Sequence, residues 1–242
     1  MNDPKRVPTV ESLLSQLRGL DLNVRNVVDV GVLSGTGFLM EYFPKAKHHL
    51  FEPVDRFFDV IRAGYRGLDY ELHHLAVSST SGMAFQVGVS ADGSNRVTHS
   101  YVADQERAVG EITSQGVVIE CKPVRTVTLD EFFRQTPLDG NYMLKIDVDG
   151  HEMPIIEGGQ KTVAGADLVM VEATMSTFLE RANAISALGF ELLEIVDLCY
   201  YNRLLSQVDL VFVNRHVIKR HADLRPWATK KFSFDQWYKF AP

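Results

Sequence analysis

Residues 27–37 read VVDVGVLSGTG, and this stretch predicts how the chain folds. Its first four residues form an apolar run interrupted only by Asp29, which is typical of a buried strand. Glycines follow in a turn that opens a helix, and Pro44 ends that helix. Sheets built from such units bind ligands beyond the carboxyl ends of their strands. Asp29 lies at such a strand end, and glycine lets a backbone approach a ligand closely. Asp29, Gly31 and Gly35 are therefore predicted to contact a cofactor.

Strand and helix patterns alternate along the rest of the chain. Six further strand runs are HHLFEP, YELHHLAVSS, YMLKIDVDG, DLVMVEAT, FELLEIVDL and QVDLVFVNR. Helix patterns between most of them predict βαβ units around a mostly parallel sheet, which is an α/β fold with helices on both faces. The segment CYYNRLLSQ is too short for a crossover, which needs about a dozen residues. The sixth and seventh strands are therefore predicted to pair antiparallel.

The chain is predicted to form a single domain over residues 1–242. An N-terminal amphipathic helix lies within 1–24, the core spans 25–215, and a tail follows over 216–242. Within the core, residues from about 82 to 125 interrupt the alternation with strand-like runs around a polar segment. This part is interpreted as a β-containing insertion after the third strand, covering the edge or the mouth of the sheet.

Composition limits the partners and the compartment. The formal net charge is −6, which argues against nucleic acid as a partner because phosphate backbones need a large basic surface. Cys121 and Cys199 are the two cysteines of the chain, and two isolated thiols make neither a disulfide framework nor a zinc motif, which favours a reducing compartment. No apolar run approaches the roughly 18 residues that span a bilayer, and no signal peptide is visible. A cytoplasmic protein without a membrane span is expected.

Two carboxylates indicate which cofactor the turn binds. Glu52 follows the glycine turn by about 20 residues, the interval at which related folds place a ribose-binding acid. Asp29 would attract an ammonium group and repel a pyrophosphate. The glycine spacing also differs from the G-x-G-x-x-G pattern of dinucleotide sites. These features favour S-adenosylmethionine over a nicotinamide dinucleotide.

Residues 144–152, LKIDVDGHE, carry the candidate catalytic groups. While the chain stays extended, alternation places Lys145, Asp147, Asp149 and His151 on one side of the fourth strand end, where the transferable methyl group is expected. His151 is the leading candidate for the general base, because the positive end of the following helix would keep its ring neutral. Asp147 is the alternative base, or it orients the histidine or the amino group of the cofactor. Glu172, which ends the next strand, is expected to face the same cleft and to hold the substrate hydroxyl or to pair with Lys145.

The same side chains raise the question of a metal ion. Oxygen and nitrogen atoms of this kind bind Mg²⁺ or a similar ion, and four of them occur at these strand ends: Asp147, Asp149, His151 and Glu172. The ammonium group of Lys145 would compete for the carboxylates. No metal ligand is therefore assigned from the sequence.

In this order, the segments VVDVGVLSG, LFEP, VRTVTLDEF, LKIDVDGHE and IIEGG resemble the FkbM-type S-adenosylmethionine-dependent methyltransferase family. The resemblance covers roughly residues 25–215. It implies a class I methyltransferase fold, which is a Rossmann-like, seven-stranded, mostly parallel sheet with an antiparallel seventh strand. It also implies O-methylation of a hydroxyl on a sugar, a glycan or a similar small metabolite.

The chain departs from the family pattern near the expected cofactor. Leu33 and Val54 stand where family members often have asparagine. Ser34 and Asp55 are therefore predicted to supply polar contacts, and Ala76 is predicted to pack on the adenine ring. Asp149 stands where glutamate is usual in the family. These departures concern individual contacts and leave the predicted fold unchanged.

The sequence leaves three functions open. The first is an O-methyltransferase acting on a small-molecule or glycan hydroxyl, with Asn95 and Arg96 of the insertion as candidate substrate contacts. The second is a nicotinamide-dependent oxidoreductase on a related sheet, which Asp29 and the glycine spacing disfavour. The third is a non-catalytic nucleoside-binding module, which the presence of His151 disfavours. The aromatic tail could bind a sugar, close the site or form a homodimer contact, and the sequence leaves these open.

Overall fold

A computed structural model describes residues 7–20, 22–94, 96–221 and 224. The strands are β1 (Asn26–Val30), β2 (Lys47–Phe51), β3 (Tyr70–His73), β4 (Ala76–Val77), β5 (Gly82–Ser90), β6 (His99–Ala103), β7 (Ile112–Thr113), β8 (Gly116–Val127), β9 (Tyr142–Ile146), β10 (Leu168–Thr174), β11 (Phe190–Tyr201) and β12 (Leu204–Asn214). The helices are α1 (Val10–Leu17), α2 (Gly37–Tyr42), α3 (Phe58–Gly64), α4 (Leu129–Gln135), α5 (Glu152–Gly158), α6 (Gln160–Gly165), α7 (Phe178–Ala187) and α8 (Arg215–Arg220). A 3₁₀ turn, Asp55–Phe57, precedes α3.

The main sheet has seven strands in the order β3–β2–β1–β9–β10–β12–β11. β12 runs antiparallel to both of its neighbours, whereas the other pairs are parallel. The prediction of an α/β fold with a mixed sheet is confirmed. The segment CYYNRLLSQ is mostly strand, because β11 and β12 meet at a tight turn. Asn202 and Arg203 have φ values of 49° and 66° there, as a two-residue hairpin turn requires.

Apolar side chains of the central strands alternate between two packed layers. Val28 and Ile146 face a layer that holds Ile155 of α5, and the helices α4 and α7 pack on the same side. Val27 and Met143 face the opposite layer, which contains side chains of α1, α2 and α8. Both faces of the sheet are therefore covered by helices, which explains why the central strands read as nearly continuous apolar runs.

The predicted third strand, YELHHLAVSS, is divided in the structure. β3 belongs to the main sheet, whereas β4 pairs with β8 in a second sheet ordered β4–β8–β5–β6, with β7 paired to β8. The strands β5 to β8 run from Gly82 to Val127, which is where the sequence interrupts its alternation. The chain thus leaves the main sheet after His73 and builds a small β layer beside the strand ends.

Two predicted helices differ in how closely the structure follows them. Thr9 caps α1, because its side-chain oxygen accepts a hydrogen bond from the Ser12 amide at 3.2 Å. The predicted helix EMPIIEGGQKTV is instead two helices, α5 and α6, separated at Gly159. Pro154 lies in the first turn of α5, where it removes no intrahelical hydrogen bond.

None of the helices within the described residues has both the length and the apolar character needed to cross a bilayer. Asn95 lies outside the described residues, as does the aromatic tail from residue 225 onward. The expectations attached to them stay sequence predictions.

Candidate functional site

A cavity of about 180 Å³ lies at the carboxyl ends of β1, β2 and β9. It brings together six side chains or backbone segments singled out in the sequence, namely Gly31, Glu52, Ala76, Asp147, Asp149 and His151. The second sheet closes it from one side through Gln86, Ser100, Tyr101 and Val102. A larger cavity of about 760 Å³ borders Tyr142 at the other end of β9, away from these strand ends.

A second cavity of about 420 Å³ adjoins the first. The two cavities share Tyr101, Val102, Asp149 and His151. The remaining lining of the second cavity is Arg107, Glu111, Thr113, Ser114, Gln115 and Gly150, so most of it comes from the β5–β8 segment. His151 therefore stands at the border between a cavity over the main sheet and one beneath the insertion.

Gly31 fixes how closely two strand ends approach each other. Its φ is +85°, and a Cβ atom built there would lie 1.8 Å from the carbonyl oxygen of Asp147. Any larger residue would push the end of β9 away from the turn after β1. The reason for glycine at this position is therefore first a contact within the protein, whereas the sequence suggested an approach to the ligand alone.

Glu52 is buried at the edge of the first cavity, with only 4 % of its surface exposed. Its two carboxylate oxygens accept hydrogen bonds from the amides of Leu33 and Val54, both at 2.8 Å. Burial raises its pKa to about 7, and these two hydrogen bonds oppose the rise. Leu33 has a φ of 53°, which a side chain of its kind rarely adopts, and the contact with Glu52 holds it there.

The structure corrects the role predicted for Asp29. Its carboxylate is fully buried and does not line the cavity. One oxygen lies 3.2 Å from the Lys145 ammonium, and the other accepts a hydrogen bond from the Thr36 hydroxyl at 2.6 Å. The ammonium group that Asp29 attracts is thus provided by the protein. Parallel pairing of β1 with β9 places Asp29 beside Lys145, a register that the local sequence does not reveal.

Lys145 joins the ends of β1 and β9. Besides Asp29, its ammonium donates to the carbonyl of Gly31 at 3.0 Å and lies 3.2 Å from a carboxylate oxygen of Asp147. These two carboxylates raise the pKa of Lys145 strongly despite its burial, so it stays charged. Asp147 keeps 41 % of its side chain exposed and lines the cavity. The Asp147 carboxylate is therefore engaged by the ammonium group of Lys145, whereas the ring of His151 has no such contact with a charged group among the described residues.

His151 is half-buried and directly precedes α5. Its Nε2 lies 2.9 Å from the hydroxyl oxygen of Ser78. Burial lowers its pKa, so the ring is neutral at pH 7 and keeps a nitrogen lone pair. Ser78 comes close because α5 packs against its backbone: a Cβ atom on Gly158 would lie 2.3 Å from the Ser78 carbonyl oxygen. The glycines of the IIEGG segment thus help to place the partner of His151.

Sequence reasoning missed the pair formed by Glu152 and Arg181. Both side chains are buried, and a carboxylate oxygen of Glu152 contacts the guanidinium of Arg181 directly. The other oxygen accepts hydrogen bonds from the amides of Val148 and Gly150, at 3.3 and 3.1 Å. Arg181 also donates to the carbonyl of Glu172. The pair therefore holds the loop between β9 and α5. The signal that the sequence offers is an arginine on the face of α7 that packs against the core.

Extended alternation does not continue through this loop. β9 ends at Ile146, and Asp149 has a φ of 54°. Its side chain turns toward the second sheet, where it accepts a weak hydrogen bond from the Ser100 amide at 3.4 Å. The prediction that Lys145, Asp147, Asp149 and His151 share one side is therefore wrong beyond the end of the strand.

Glu172 lies near the site without lining either cavity. Gln207 donates a hydrogen bond to its carboxylate, and no ion pair joins it to Lys145 in the described part of the chain. Burial, followed by the charges of Asp147 and Glu152, raises its pKa to about 8. The carboxyl group is thus mostly protonated at pH 7, and its predicted contact with the substrate hydroxyl stays a prediction.

Two of the predicted cofactor residues lie elsewhere. Gly35 has a φ of +120° and faces Tyr65 and Met40, so its role is to shape the turn before α2. Asp55 exposes 73 % of its side chain and lies 3.9 Å from Lys122, outside the cavity. The predicted alternative ligands for Mg²⁺ also do not gather into a group of three or more within the described residues.

The chain is similar to several solved structures at low sequence identity. It is similar to a magnesium protoporphyrin IX methyltransferase from Synechocystis PCC 6803 with bound S-adenosylmethionine (10 % identity, TM-score 0.45, 85 % of this chain and 77 % of that chain). It is also similar to a precorrin 8w decarboxylase from Methanobacterium thermoautotrophicum (12 % identity, TM-score 0.44, 88 % and 96 %). A third is the 23S rRNA methyltransferase ErmE (9 % identity, TM-score 0.44, 91 % and 77 %). The comparison with curated proteins found no match.

The comparison with family models gave a match that covers most of the chain. The model of the methyltransferase FkbM domain matches residues 29–192, which include the carboxyl ends of β1, β2 and β9. The chain belongs to the methyltransferase FkbM domain family.

Proposed function

We propose that this protein transfers a methyl group from S-adenosylmethionine to a hydroxyl of a sugar, a glycan or a similar small metabolite, on a class I methyltransferase fold. S-adenosylmethionine-dependent methyl transfer follows from the family to which the chain belongs. The observation that supports transfer to a hydroxyl group is the position of His151. A neutral, half-buried imidazole stands between two adjoining cavities, one at the strand ends and one beneath the insertion.

The residues that line the first cavity suit the polar groups and the adenine of the cofactor. Glu52 is a buried carboxylate at the cavity edge without a close countercharge, so it suits the two hydroxyls of a ribose. Ala76 lies in the wall beside it, where it would pack on the adenine ring. Asp147 keeps an exposed carboxylate, which suits the ammonium group of the methionine part. In this proposal Asp147 takes the role that the sequence assigned to Asp29.

His151 would act on the acceptor from its place between the cavities. When bound, S-adenosylmethionine supplies an activated methyl group on a sulfonium centre. The imidazole of His151 takes the proton from the acceptor hydroxyl as the new carbon–oxygen bond forms. Ser78 holds the ring at its Nε2, and the Glu152–Arg181 pair fixes the loop that carries it. This arrangement orients the reacting groups, which is worth a large part of the rate in transfer reactions.

The second cavity indicates the acceptor class. Its lining offers hydroxyl and amide groups, from Tyr101, Thr113 and Gln115. Arg107 and Glu111 pair with each other at 3.0 Å, so their charges largely cancel, and the remaining acidic side chain of the lining is Asp149. Together with the net charge of −6, this favours a neutral, hydroxylated acceptor over a polyanion.

Transfer of a labelled methyl group tests the proposal. Purified protein would be incubated with radiolabelled S-adenosylmethionine and separate pools of neutral sugars, nucleotide-linked sugars, polyketides, peptides and RNA. We expect label in a hydroxylated, uncharged acceptor, as a base-stable ether, and labelling about a hundredfold slower with His151→Ala. Label found only in peptide or RNA would overturn the acceptor class while leaving the methyl transfer intact.

A further inference from the structure

We propose that His49, Glu71 and His73 bind one divalent transition-metal ion of the Zn²⁺ class, at a site separate from the methyl-transfer cavity. The three side chains come from β2 and β3, which pair in parallel with His49 opposite Glu71. Their nearest ligand atoms all lie within 4.8 Å of one another. Two imidazoles and one carboxylate form a ligand set that first-row transition metals favour.

The ligand atoms converge on one point. Nδ1 of His49 lies 3.8 Å from Oε2 of Glu71, and Nε2 of His73 lies 3.9 Å from the same oxygen. These separations are too long for hydrogen bonds. Ligands around a tetrahedral Zn²⁺ with bonds of about 2.0–2.1 Å lie about 3.4 Å apart. Each histidine therefore needs to approach Glu71 by about half an ångström, and the two imidazole nitrogens, which lie within 4.8 Å of each other, need to approach by at most about 1.4 Å.

Both imidazole nitrogens are buried without a hydrogen-bond partner. His49 exposes only 3 % of its surface, and its Nδ1 has no partner in the described structure. Nε2 of His73 is likewise buried and unsatisfied. Buried polar atoms are nearly always paired, because leaving one unpaired costs about 1–3 kcal/mol. A metal ion between these nitrogens would satisfy both at once.

The surroundings prepare the histidines as ligands. Burial lowers the pKa of His49 and lowers that of His73 to about 4, so both rings are neutral. Phe51 and Phe132 pack on the ring of His73, with centroids 4.7 and 4.6 Å away, and Phe133 meets His49 edge-on. These aromatic contacts fix the ring orientations and keep water from the nitrogens.

Glu71 completes the site and leaves a path to it. Its Oε1 is bound by the Lys47 ammonium at 2.5 Å, which leaves Oε2 to face the two histidines. The Glu71 side chain is 44 % exposed, so an ion can enter from solvent on this side. The positive charge of Lys47 weakens metal binding, but the ammonium group contacts Oε1 and leaves Oε2 available to the ion.

The site would brace the wall of the first cavity. Phe51 both packs on His73 and lines that cavity, and the Glu52 amide donates to the His73 carbonyl at 3.2 Å. An ion joining β2 to the edge strand β3 would therefore hold the backbone that carries Glu52. Binding to the folded state alone would raise thermal stability in proportion to the logarithm of metal concentration.

Titration of the full-length, untagged, chelator-treated protein with ZnCl₂ and CoCl₂ tests the proposal. We expect one ion to bind with a Kd below about 1 µM, with Co²⁺ giving the intense visible absorption of a four-coordinate site. Glu71→Gln should weaken binding by about a hundredfold or more, since it replaces the charged ligand with a neutral one. His74→Ala is the matched control, because His74 is the next residue but is exposed and stacks on Phe58 instead.

Each result decides the matter. Loss of binding in folded Glu71→Gln together with unchanged binding in His74→Ala supports the site. Wild-type affinity weaker than about 100 µM, or equal affinity in the wild type and Glu71→Gln, would overturn it. If Glu71→Gln does not fold, X-ray absorption of the Zn²⁺-bound wild type decides instead. Two imidazoles in the first coordination sphere support the proposal, and fewer than two imidazoles would refute it.

Discussion

Two groups of buried ionisable side chains lie at the carboxyl edge of the main sheet, and they differ in how their charges are satisfied. In the first group, Asp29 pairs with Lys145, and Glu152 pairs with Arg181. In the second, Glu52 is buried and His151 is half-buried, and both have hydrogen-bonding partners but no close countercharge within the described residues. The paired group fixes backbone segments, whereas the unpaired group borders the cavities. Charge in a motif is therefore a poor guide to chemistry until its partner is known.

The pKa values express the same difference. Opposing charges keep Lys145 ionised despite complete burial, because two carboxylates lie within 3.2 Å. Burial without such pairing raises the pKa of Glu52 to about 7 and lowers that of His151. A group such as Glu52, which titrates near neutral pH, can hydrogen-bond to a ligand in either protonation state, which is the behaviour expected of a binding or catalytic site.

The largest expected effect concerns the paired group. Arg181→Ala leaves the Glu152 carboxylate buried without its countercharge, so we expect the free energy of unfolding to fall by about 3–5 kcal/mol. Urea denaturation measures this change. Arg62→Ala is the control, because Arg62 pairs with Asp59 on the surface and should contribute less than about 1 kcal/mol. Similar losses in both variants would show that the Glu152–Arg181 pair does not anchor the loop.

The next effect concerns His151 in the unpaired group. His151→Ala should lower the rate of methyl transfer by about a hundredfold, the range typical of a positioned general base, with thermal stability nearly unchanged. The wild-type rate should rise with pH through the pKa of His151, which lies below 6.5, because only the neutral ring accepts a proton. The variant should lose that dependence. Single-turnover rates across pH measure both features.

Asp147→Asn distinguishes the rival base. If His151 is the base, this variant weakens cofactor binding but keeps the pH dependence of the transfer step. If Asp147 is the base, Asp147→Asn loses the chemistry and His151→Ala retains most of it. The second outcome would reverse the comparison, since a paired carboxylate would then carry the proton.

A smaller effect concerns stability and pH. The pKa of Glu172 is raised to about 8 from 4.5, so the folded state binds a proton more tightly than the unfolded chain, and stability should fall as pH rises through this window. Between pH 7 and 8 this group should account for about 1 kcal/mol. Asp209 and Glu52, each with a pKa of about 7, should add to the fall mainly below pH 7.

Glu172→Gln should remove its share of that slope while keeping a polar partner for Gln207. Denaturation at pH 7.0 and 8.0 compares the two proteins. Histidines with lowered pKa values act in the opposite direction only near and below pH 6.5, so they leave this interval largely unaffected. An equal slope in both proteins would mean that Glu172 is ionised in the fold.

Local patterns of the sequence were sufficient for the alternation of strands and helices, for the glycine turn and for the strand end that carries His151. They could not show which charges pair across the sheet. Asp29 and Lys145 are 116 positions apart in a register set by strand order, and Arg181 reaches Glu152 from a separate helix. The split between β3 and β4 was also hidden, because the two pieces form one continuous strand-like run in the sequence and only their pairing partners differ.

The central claim is that the cavity beside Glu52 binds S-adenosylmethionine. Calorimetric titration of the wild type with S-adenosylhomocysteine and with NAD tests it most directly, together with Glu52→Gln and, as a control, Asp55→Asn, whose side chain is exposed outside the cavity. We expect the sulfur nucleoside to bind and NAD not to bind. Its affinity should fall about tenfold or more in folded Glu52→Gln, through loss of a charge-assisted hydrogen bond, and stay unchanged in Asp55→Asn. Binding of NAD without the sulfur nucleoside, or equal affinity in the wild type and Glu52→Gln, would contradict the account.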